Sequence, residues 1–348
     1  MPQCTRQVRL AEDELILAFD ERPVFPVEST AESAMIDGMK FFSPDEIREK
    51  LTYDLCIDAV RKAMTALSLG ETRQLPRGVL PLEGDRKFGV MTGALGDGGP
   101  FGSKLVSVFP DNFDRGIPSH QGIVVLFDRD SGAPMAAADG GVITAIRTAC
   151  ASAVATDALA RPDSRRLALL GYGEQAETHL RAIRRVRPIE AVTVWGRSPE
   201  RAAAFAERMA AETGLAVVAA ASARDAVAEA DIVCTLTHAK EPILLGEWVA
   251  PGTHLNVVGS SVPGPVEIDH DLVVKSRFVA DSRANVMMAG AEFLKAKEAG
   301  LIGDDHIAAE IGEVLSGRIP GRRSAGEVTL YKSLGHILQD LASLAALL

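Results

Sequence analysis

The chain has 348 residues, of which 47% are hydrophobic and 24% charged, and a net charge of −10. That length accommodates two domains with cores of their own, and the acidic balance disfavours nucleic acid or an anionic membrane as partner. No apolar run approaches the ~18 residues of a membrane span, and the acidic N-terminus (Glu12, Asp13, Glu14, Asp20, Glu21) does not read as a signal peptide, so a cytoplasmic protein without membrane attachment is expected.

Residues 1–36 carry little periodicity and read as an extension. Ser43, Pro44, Asp45 and Glu46 then have the order of a helix start, with a capping hydroxyl, a proline in the first turn and acids beside the positive end of the helix. A second, amphipathic helix is expected over 55–69. Strands follow over 89–92, 102–109 and 122–127, separated by glycine, proline and aspartate turns, which gives an α+β region of mostly antiparallel character.

From about residue 150 strands and helices alternate. The run RLALLGYGEQA over 166–176 leads an apolar strand into Gly171, Gly173 and Ala176 at the start of an Ala-rich helix. Gly171 permits a tight turn, Gly173 lets a pyrophosphate approach the backbone, and Ala176 lets helix pack on strand. The second strand, 191–195, ends in Gly196, Arg197 and Ser198 and not in an acid. An acid there bonds the ribose 2′-hydroxyl of NAD, whereas an arginine accommodates a 2′-phosphate, so NADP(H) is expected over NAD(H). Arg201, at the start of the next helix, is a helper to Arg197 and Ser198. Ser198 and Pro199 open that helix and Gly214 closes it. A strand over 215–218, a helix starting at Ser222, and strands over 231–237, 254–258 and 277–280 complete an α/β fold of Rossmann type, a doubly wound parallel sheet. From 328 a strand and an apolar helix read as a return to the first domain. The domain reading is therefore 37–145 with 327–348 for the α+β substrate-binding and dimerisation domain, and 146–326 for the nucleotide domain.

Cys4, Cys56, Cys150 and Cys234 show no paired spacing, and Cys150 and Cys234 read as inert core thiols. The seven histidines do not cluster as ligands, so no metal site is expected. Two basic residues stand in apolar surroundings. Lys104 lies in GSKLVSVF, where it either snorkels to solvent or, if buried, is paired with an anion or has a lowered pKa suited to acid–base work. Arg147 is the only charge in ITAIRTACASAVA, and reads either as half of an internal salt bridge or as a guanidinium fork for a substrate carboxylate or a cofactor phosphate.

Residues 116–128 (GIPSHQGIVVLFD), 139–149 (DGGVITAIRTA), 171–176 (GYGEQA), 241–249 (EPILLGEWV), 256–259 (NVVG) and 329–335 (TLYKSLG) resemble the ornithine cyclodeaminase/mu-crystallin family. The resemblance implies a homodimer whose subunits join a split substrate and dimerisation domain to an NAD(P)-binding domain. It implies that Lys104 is the acid–base residue and that Arg77 and Arg147 anchor a substrate carboxylate, with Lys104 and Ser261 also facing substrate. Together with the glycine turn it gives candidate cofactor contacts at Ser119, His120, Arg147, Thr148, Gly171, Gly173, Glu174, Gln175, Arg197, Ser198, Arg201, Thr235, Thr237, Val258 and Ser333. Ser261 stands where ornithine cyclodeaminases carry an aspartate that handles the amino group of ornithine, and the basic end of the second strand differs from NAD-retaining cyclodeaminases. Both departures point to the branch of mu-crystallin and the ketimine reductases, hence to NADPH-dependent reduction of a 2-imino acid or the reverse oxidation of an amino acid. A cyclodeaminase-type lyase that uses bound NAD(P) without net redox, and a non-catalytic binder of NADPH and a small ligand, are the alternatives.

Overall fold

The computed structural model describes residues 38–96 and 98–348. The expected extension over residues 1–36 lies outside them. The first sheet is built from β1 (Lys40–Phe42), β2 (Arg73–Gln74), β3 (Gly78–Pro81), β4 (Lys87–Ala94), β5 (Phe101–Val108), β6 (His120–Phe127) and β7 (Pro134–Asp139). Its order is β1-β7-β6-β5-β4-β2, with β3 also on β4, and every pairing is antiparallel except β1 with β7. Helices α1 (Pro44–Lys50), α2 (Tyr53–Ser68) and α3 (Gly140–Leu159) belong with it. The Ser43 cap and its reciprocal bond with Glu46 start α1 as the sequence suggests.

The second sheet is entirely parallel. Its strands are β8 (Arg166–Leu170), β9 (Ala191–Trp195), β10 (Ala216–Ala219), β11 (Ile232–Thr235), β12 (His254–Val257), β13 (Arg277–Ala280), β14 (Ile307–Glu310) and β15 (Thr329–Lys332), in the order β10-β9-β8-β11-β12-β15-β13-β14. The order reverses between β8 and β11, which is the switch point where a doubly wound sheet opens a crevice for a ligand. The connecting helices are α4 (Glu174–Ile183), α5 (Pro199–Thr213), α6 (Ala223–Val227), α7 (His270–Lys275), α8 (Arg283–Ala289), α9 (Ala291–Glu298) and α10 (Ile311–Leu315), and α11 (Ile337–Ala345) closes the chain.

Three expectations need correction. The segment 327–348 does not belong to one domain: β15 fills the central position between β12 and β13 of the parallel sheet, and only α11 returns to pack on α2, α3 and the first sheet. All four residues of β15 are buried, which demands strands on both sides and cover on both faces. The boundary at 145/146 falls inside the unbroken helix α3, which packs against β6 of one sheet and against β12 and β15 of the other. That helix is also long and apolar enough to cross a membrane by length and composition, contrary to the reading that no run is; 83% of its apolar window is buried in the protein, as befits a core helix.

α3 and α11 cover the inner face of the first sheet, with Met91, Val124, Leu126, Ile143, Ile146, Leu338 and Leu341 in one core. On the outer face Phe101 stacks on Phe127 at 5.5 Å, followed by Val125 and by the Leu105–Ile123 pair in register. Among the described residues nothing covers that face.

Candidate active site

Lys104 projects from β5 to the inner face of its sheet, Arg147 from the middle of α3, and both meet Asp340 of α11. All three side chains are buried. Lys104 Nζ lies 2.6 Å from Thr144 Oγ1 and 3.0 Å from Asp340 Oδ1, and Arg147 Nε donates to the same oxygen at 3.0 Å. Arg147 Nη1 donates to Gln339 Oε1 at 2.8 Å, while Asp340 Oδ2 has no partner among the described residues. Arg77, half-buried on the segment before β3, donates from Nη2 to the carbonyls of Leu334 at 2.9 Å and Gly335 at 3.3 Å.

The two basic residues thus belong to one cluster. Arg147 is in a salt bridge to a carboxylate far along the chain, and Lys104 does not snorkel but is buried, paired and perturbed. Burial pulls the Lys104 ammonium down to about 8, with Arg147 adding to the effect and the Asp340 charge opposing it. Burial alone would raise the Asp340 carboxyl, but the Arg147 and Lys104 charges outweigh it and hold it below the ordinary carboxylate range. His336, which caps α11 through Nδ1, is depressed by burial to about 4 and is neutral at physiological pH.

Beside Arg77 opens a cavity of about 210 Å³, walled by Arg77, Met91, Ser261, Asn285, Met288 and Ile337 among others, with no carboxylate in its lining among the described residues. Its wall draws residues from both domains; Arg77 is the expected substrate cation that lines it, while Lys104 and Arg147 are not among its lining residues.

The glycine turn behaves as its spacing suggests. Gly171 has φ +131°, and a Cβ there would stand 2.8 Å from the Leu236 carbonyl oxygen. Gly173 is the N-cap of α4, offers no side-chain cap, and has open space where a Cβ would be. The first-turn N–H groups of a ten-residue helix therefore face an uncluttered approach, with Glu174 and Gln175 in that turn and Gln175 Oε1 buried without a partner. These features suit a pyrophosphate-bearing dinucleotide. Thr235, Thr237 and Val258 lie where β11 and β12 end, next to the switch point. Ser333, buried and with no partner for its hydroxyl among the described residues, follows β15. Ser119 and His120 enter β6 and bond to each other at 3.0 Å; burial lowers the His120 pKa, with His238 and Lys104 contributing. Thr148 is buried beside Arg147 on α3.

Arg197 and Arg201 are exposed, just past the end of β9 and at the start of α5. The Ser198 hydroxyl is engaged locally: it caps α5 by accepting from Arg201 N at 3.3 Å and donates to Glu200 at 2.8 Å.

Sequence reasoning missed the acids. Asp340 carried a usable signal, being the only charged residue between Leu334 and Leu348, the same argument that singled out Arg147. Glu267 and Asp281 carried none, because each lies in ordinary polar loop context. Glu267 is fully buried and receives Thr235 Oγ1 at 2.7 Å, Thr237 N at 2.7 Å, Thr237 Oγ1 at 2.8 Å and Gly259 N at 2.7 Å. It thereby ties together the ends of β11 and β12, including two residues expected to contact cofactor.

A dinucleotide-type parallel sheet and a second sheet that delivers a buried, perturbed lysine among arginines define a two-domain protein of the nucleotide-dependent α/β class. Residues 39–347 match the ornithine cyclodeaminase/mu-crystallin family, and the chain belongs to that family. The ketimine reductase mu-crystallin of Rattus norvegicus is 37% identical over 308 residues, 87% of this chain and 94% of that protein. The Thermococcus litoralis Δ1-pyrroline-2-carboxylate reductase, solved with NADH and L-proline, superposes with a TM-score of 0.85 at 34% identity over 88% of this chain and 96% of that one. An archaeal alanine dehydrogenase dimer with bound NAD gives a TM-score of 0.84 at 29% identity, covering 89% and 94%.

Proposed function

We propose that this protein is an NADP(H)-dependent oxidoreductase that reduces a 2-imino acid, open-chain or cyclic, to the amino acid, or runs the reverse dehydrogenation. The observation that carries the reading is Lys104, buried on the inner face of the first sheet with its pKa drawn down to about 8, paired with Asp340 and close to the charges of Arg147 and Arg77. By their names the relatives above are a ketimine reductase, a Δ1-pyrroline-2-carboxylate reductase solved with NADH and L-proline, and an alanine dehydrogenase solved with NAD, which supports the same chemistry here.

The bound nicotinamide supplies the hydride in reduction and accepts it in oxidation. The α4 N-terminus and Gly173 would hold the pyrophosphate, with Thr235, Thr237, Val258 and Ser333 lining the path to the junction. Arg77 and Arg147 would take the substrate carboxylate, which fixes the imine carbon in place and supplies most of the acceleration through orientation. Lys104, protonated below about pH 8, favours the cationic iminium–carboxylate pair by bonding the carboxylate or delivers the proton to nitrogen; in the reverse direction its neutral form accepts that proton. Asp340 keeps both cations in register. The cyclodeaminase alternative is the weaker one, because Ser261 offers no charge to a diamine and no carboxylate lines the cavity among the described residues.

NADP(H) over NAD(H) is proposed on Arg197 and Arg201 at the end of β9. Glu200, held by Ser198 at the same turn, opposes a 2′-phosphate electrostatically, so the preference rests on the two arginines outweighing it. A homodimer is proposed on the outer face of the first sheet, which no described residue covers, with Phe101, Phe127 and the Leu105–Ile123 pair as its centre.

The experiment is a panel of cyclic imines, and of 2-oxo acids with ammonia or methylamine, followed by NADPH absorbance, with ornithine and NAD+ assayed for ammonia release. Consumption of NADPH by imino acids is expected. Ammonia release from ornithine without net redox would replace this reading by the lyase one.

A further inference from the structure

Residues 333–336 carry the chain from β15 in the parallel sheet to α11 on the other domain. Asp281, just past the end of β13, grips this crossing. Its carboxylate is fully buried; Oδ2 accepts from Leu334 N at 2.7 Å and Gly335 N at 2.8 Å, and Oδ1 accepts from Ser282 N at 2.7 Å. The carbonyl oxygens of the same two residues, Leu334 and Gly335, accept from Arg77 Nη2. Gly335 also abuts Arg147: its φ is +81°, and a Cβ there would stand 2.9 Å from Arg147 Nη1. One short turn is therefore held through its N–H groups by an acid of the nucleotide domain and through its carbonyls by an arginine of the substrate domain.

We propose that Asp281 is a positioning residue for substrate binding, fixing the turn at 334–335 and through it the guanidinium of Arg77. The inference rests on the reading that Arg77 anchors the substrate carboxylate. Asp281 does not line the cavity, so it acts through the turn and not by contact. Hydrogen bonds to an ionised acceptor are about twice as strong as neutral ones, and peptide groups bonded on both sides polarise one another. Burial raises the Asp281 carboxyl to about 6, with the three backbone N–H groups and the Lys332 charge opposing, so it is ionised at neutral pH. The turn can then neither flip its amides nor withdraw its carbonyls from Arg77 without stranding a buried charge.

The test is a double-mutant cycle of Asp281→Ala and Arg77→Ala, with Asp281→Asn as the shape-preserving variant that is read if Asp281→Ala does not fold. Asp281→Ala is expected to raise KM for the imine by ~10- to 100-fold, the range for losing a bond to a charged group, with kcat lowered less than about threefold and NADPH affinity nearly unchanged. In the Arg77→Ala background the same change is expected to add little, since coupled residues are not additive. Calorimetric binding of pyruvate to the NADP+-loaded protein repeats the cycle without turnover, so it decides the role of Asp281 even if no imine is reduced and the reading of the activity falls. Amide exchange at Leu334 and Gly335 should accelerate in both Asp281 variants. Additive effects of the two substitutions, or a fall in cofactor affinity parallel to the rise in KM, would overturn the inference and leave Asp281 a fold-stabilising acid.

Discussion

Replacing Asp340 by Asn takes one charge from the centre of the cation cluster and keeps the side-chain shape. Oδ1 of Asp340 accepts from Lys104 and from Arg147, each at 3.0 Å, and none of the three side chains has more than 6% exposure. Removing one member of a buried pair costs about 3–5 kcal/mol, and the cluster can shed part of that cost only by giving up a proton. Arginine does not, so Lys104 must. Its pKa is already down to about 8 by burial, and the Asp340 charge is what chiefly holds it up. Each ~1.4 kcal/mol of lost attraction lowers a pKa by one unit, so the variant should titrate at least about one unit lower, at or below neutrality.

The assay is kcat/KM for imine reduction across pH 5.5 to 9.5 at about half-unit steps, with melting curves at each pH. In the wild type the reduction should fall on an alkaline limb centred near pH 8 as the ammonium is lost, and the reverse oxidation should rise over the same limb. In Asp340→Asn both limbs should move down together by ~1 unit or more. The stability sign is fixed as well. The folded pKa of Lys104, about 8, lies below its ordinary 10.5, so its contribution to stability is present above pH 10.5 and is lost as pH falls through about 8. An alkaline limb at the same pH in wild type and variant would show that Lys104 is not the group that governs turnover.

Lys104→Ala should lower kcat by ~10²–10⁴ while leaving NADPH binding intact, and Lys104→Arg should not restore it, because a guanidinium is a poor proton donor with a different geometry; near-normal turnover in Lys104→Ala would make the lysine structural, and in Lys104→Arg would reduce its role to that of a positive charge. Gly335→Ala forces φ +81° on an alanine and drives its Cβ to 2.9 Å from Arg147 Nη1, so destabilisation of ~1–3 kcal/mol and a raised KM are expected; an unchanged KM, measured beside the melting temperature, would show that Arg147 does not bear on substrate. Arg197→Ala should weaken NADPH binding by roughly one to two powers of ten and NADH binding much less, and equal wild-type affinity for the two cofactors would remove the basis for the preference. Light scattering should give a dimer, and an active monomer at working concentration would contradict the proposed interface.

What could be read in advance follows from the range of the interactions involved. Most of the parallel sheet, β14 excepted, was legible because its signals are local: an apolar strand, a glycine turn and a helix start within eleven residues, and a helix opened by Ser198 and Pro199 and closed by Gly214 with φ +70°. β7 was not, because its Ala136, Ala137 and Ala138 have low strand propensity and pair only because the neighbouring strands enforce it. The placement of β15 was out of reach, since alternation tells which faces are buried but not which strands lie alongside. Lys104 and Arg147 stood out as charges in apolar segments. The acids that answer them did not, except Asp340, whose isolation in the last helix was available and unused.

The route of the chain explains why the missing partner lies so near its end. Lys104 arrives on β5 and Arg147 on α3, both before the nucleotide domain begins, yet the carboxylate they share arrives only with α11, after β15 has entered the centre of the parallel sheet. Until α11 docks, two cations face an apolar interior with Thr144 as the sole polar side chain bonded to Lys104 and none bonded to Arg147 among the described residues. Burying them in that state costs several kcal/mol per charge, so docking of α11 with Asp340 and Gln339 relieves a penalty that the first domain alone would carry. The Asp281 turn, held from the nucleotide domain, is the element through which that domain reaches Arg77. Two buried carboxylates thus order the cations of a net acidic protein, Asp340 for Lys104 and Arg147 directly and Asp281 for Arg77 through the turn, whatever the surface charge.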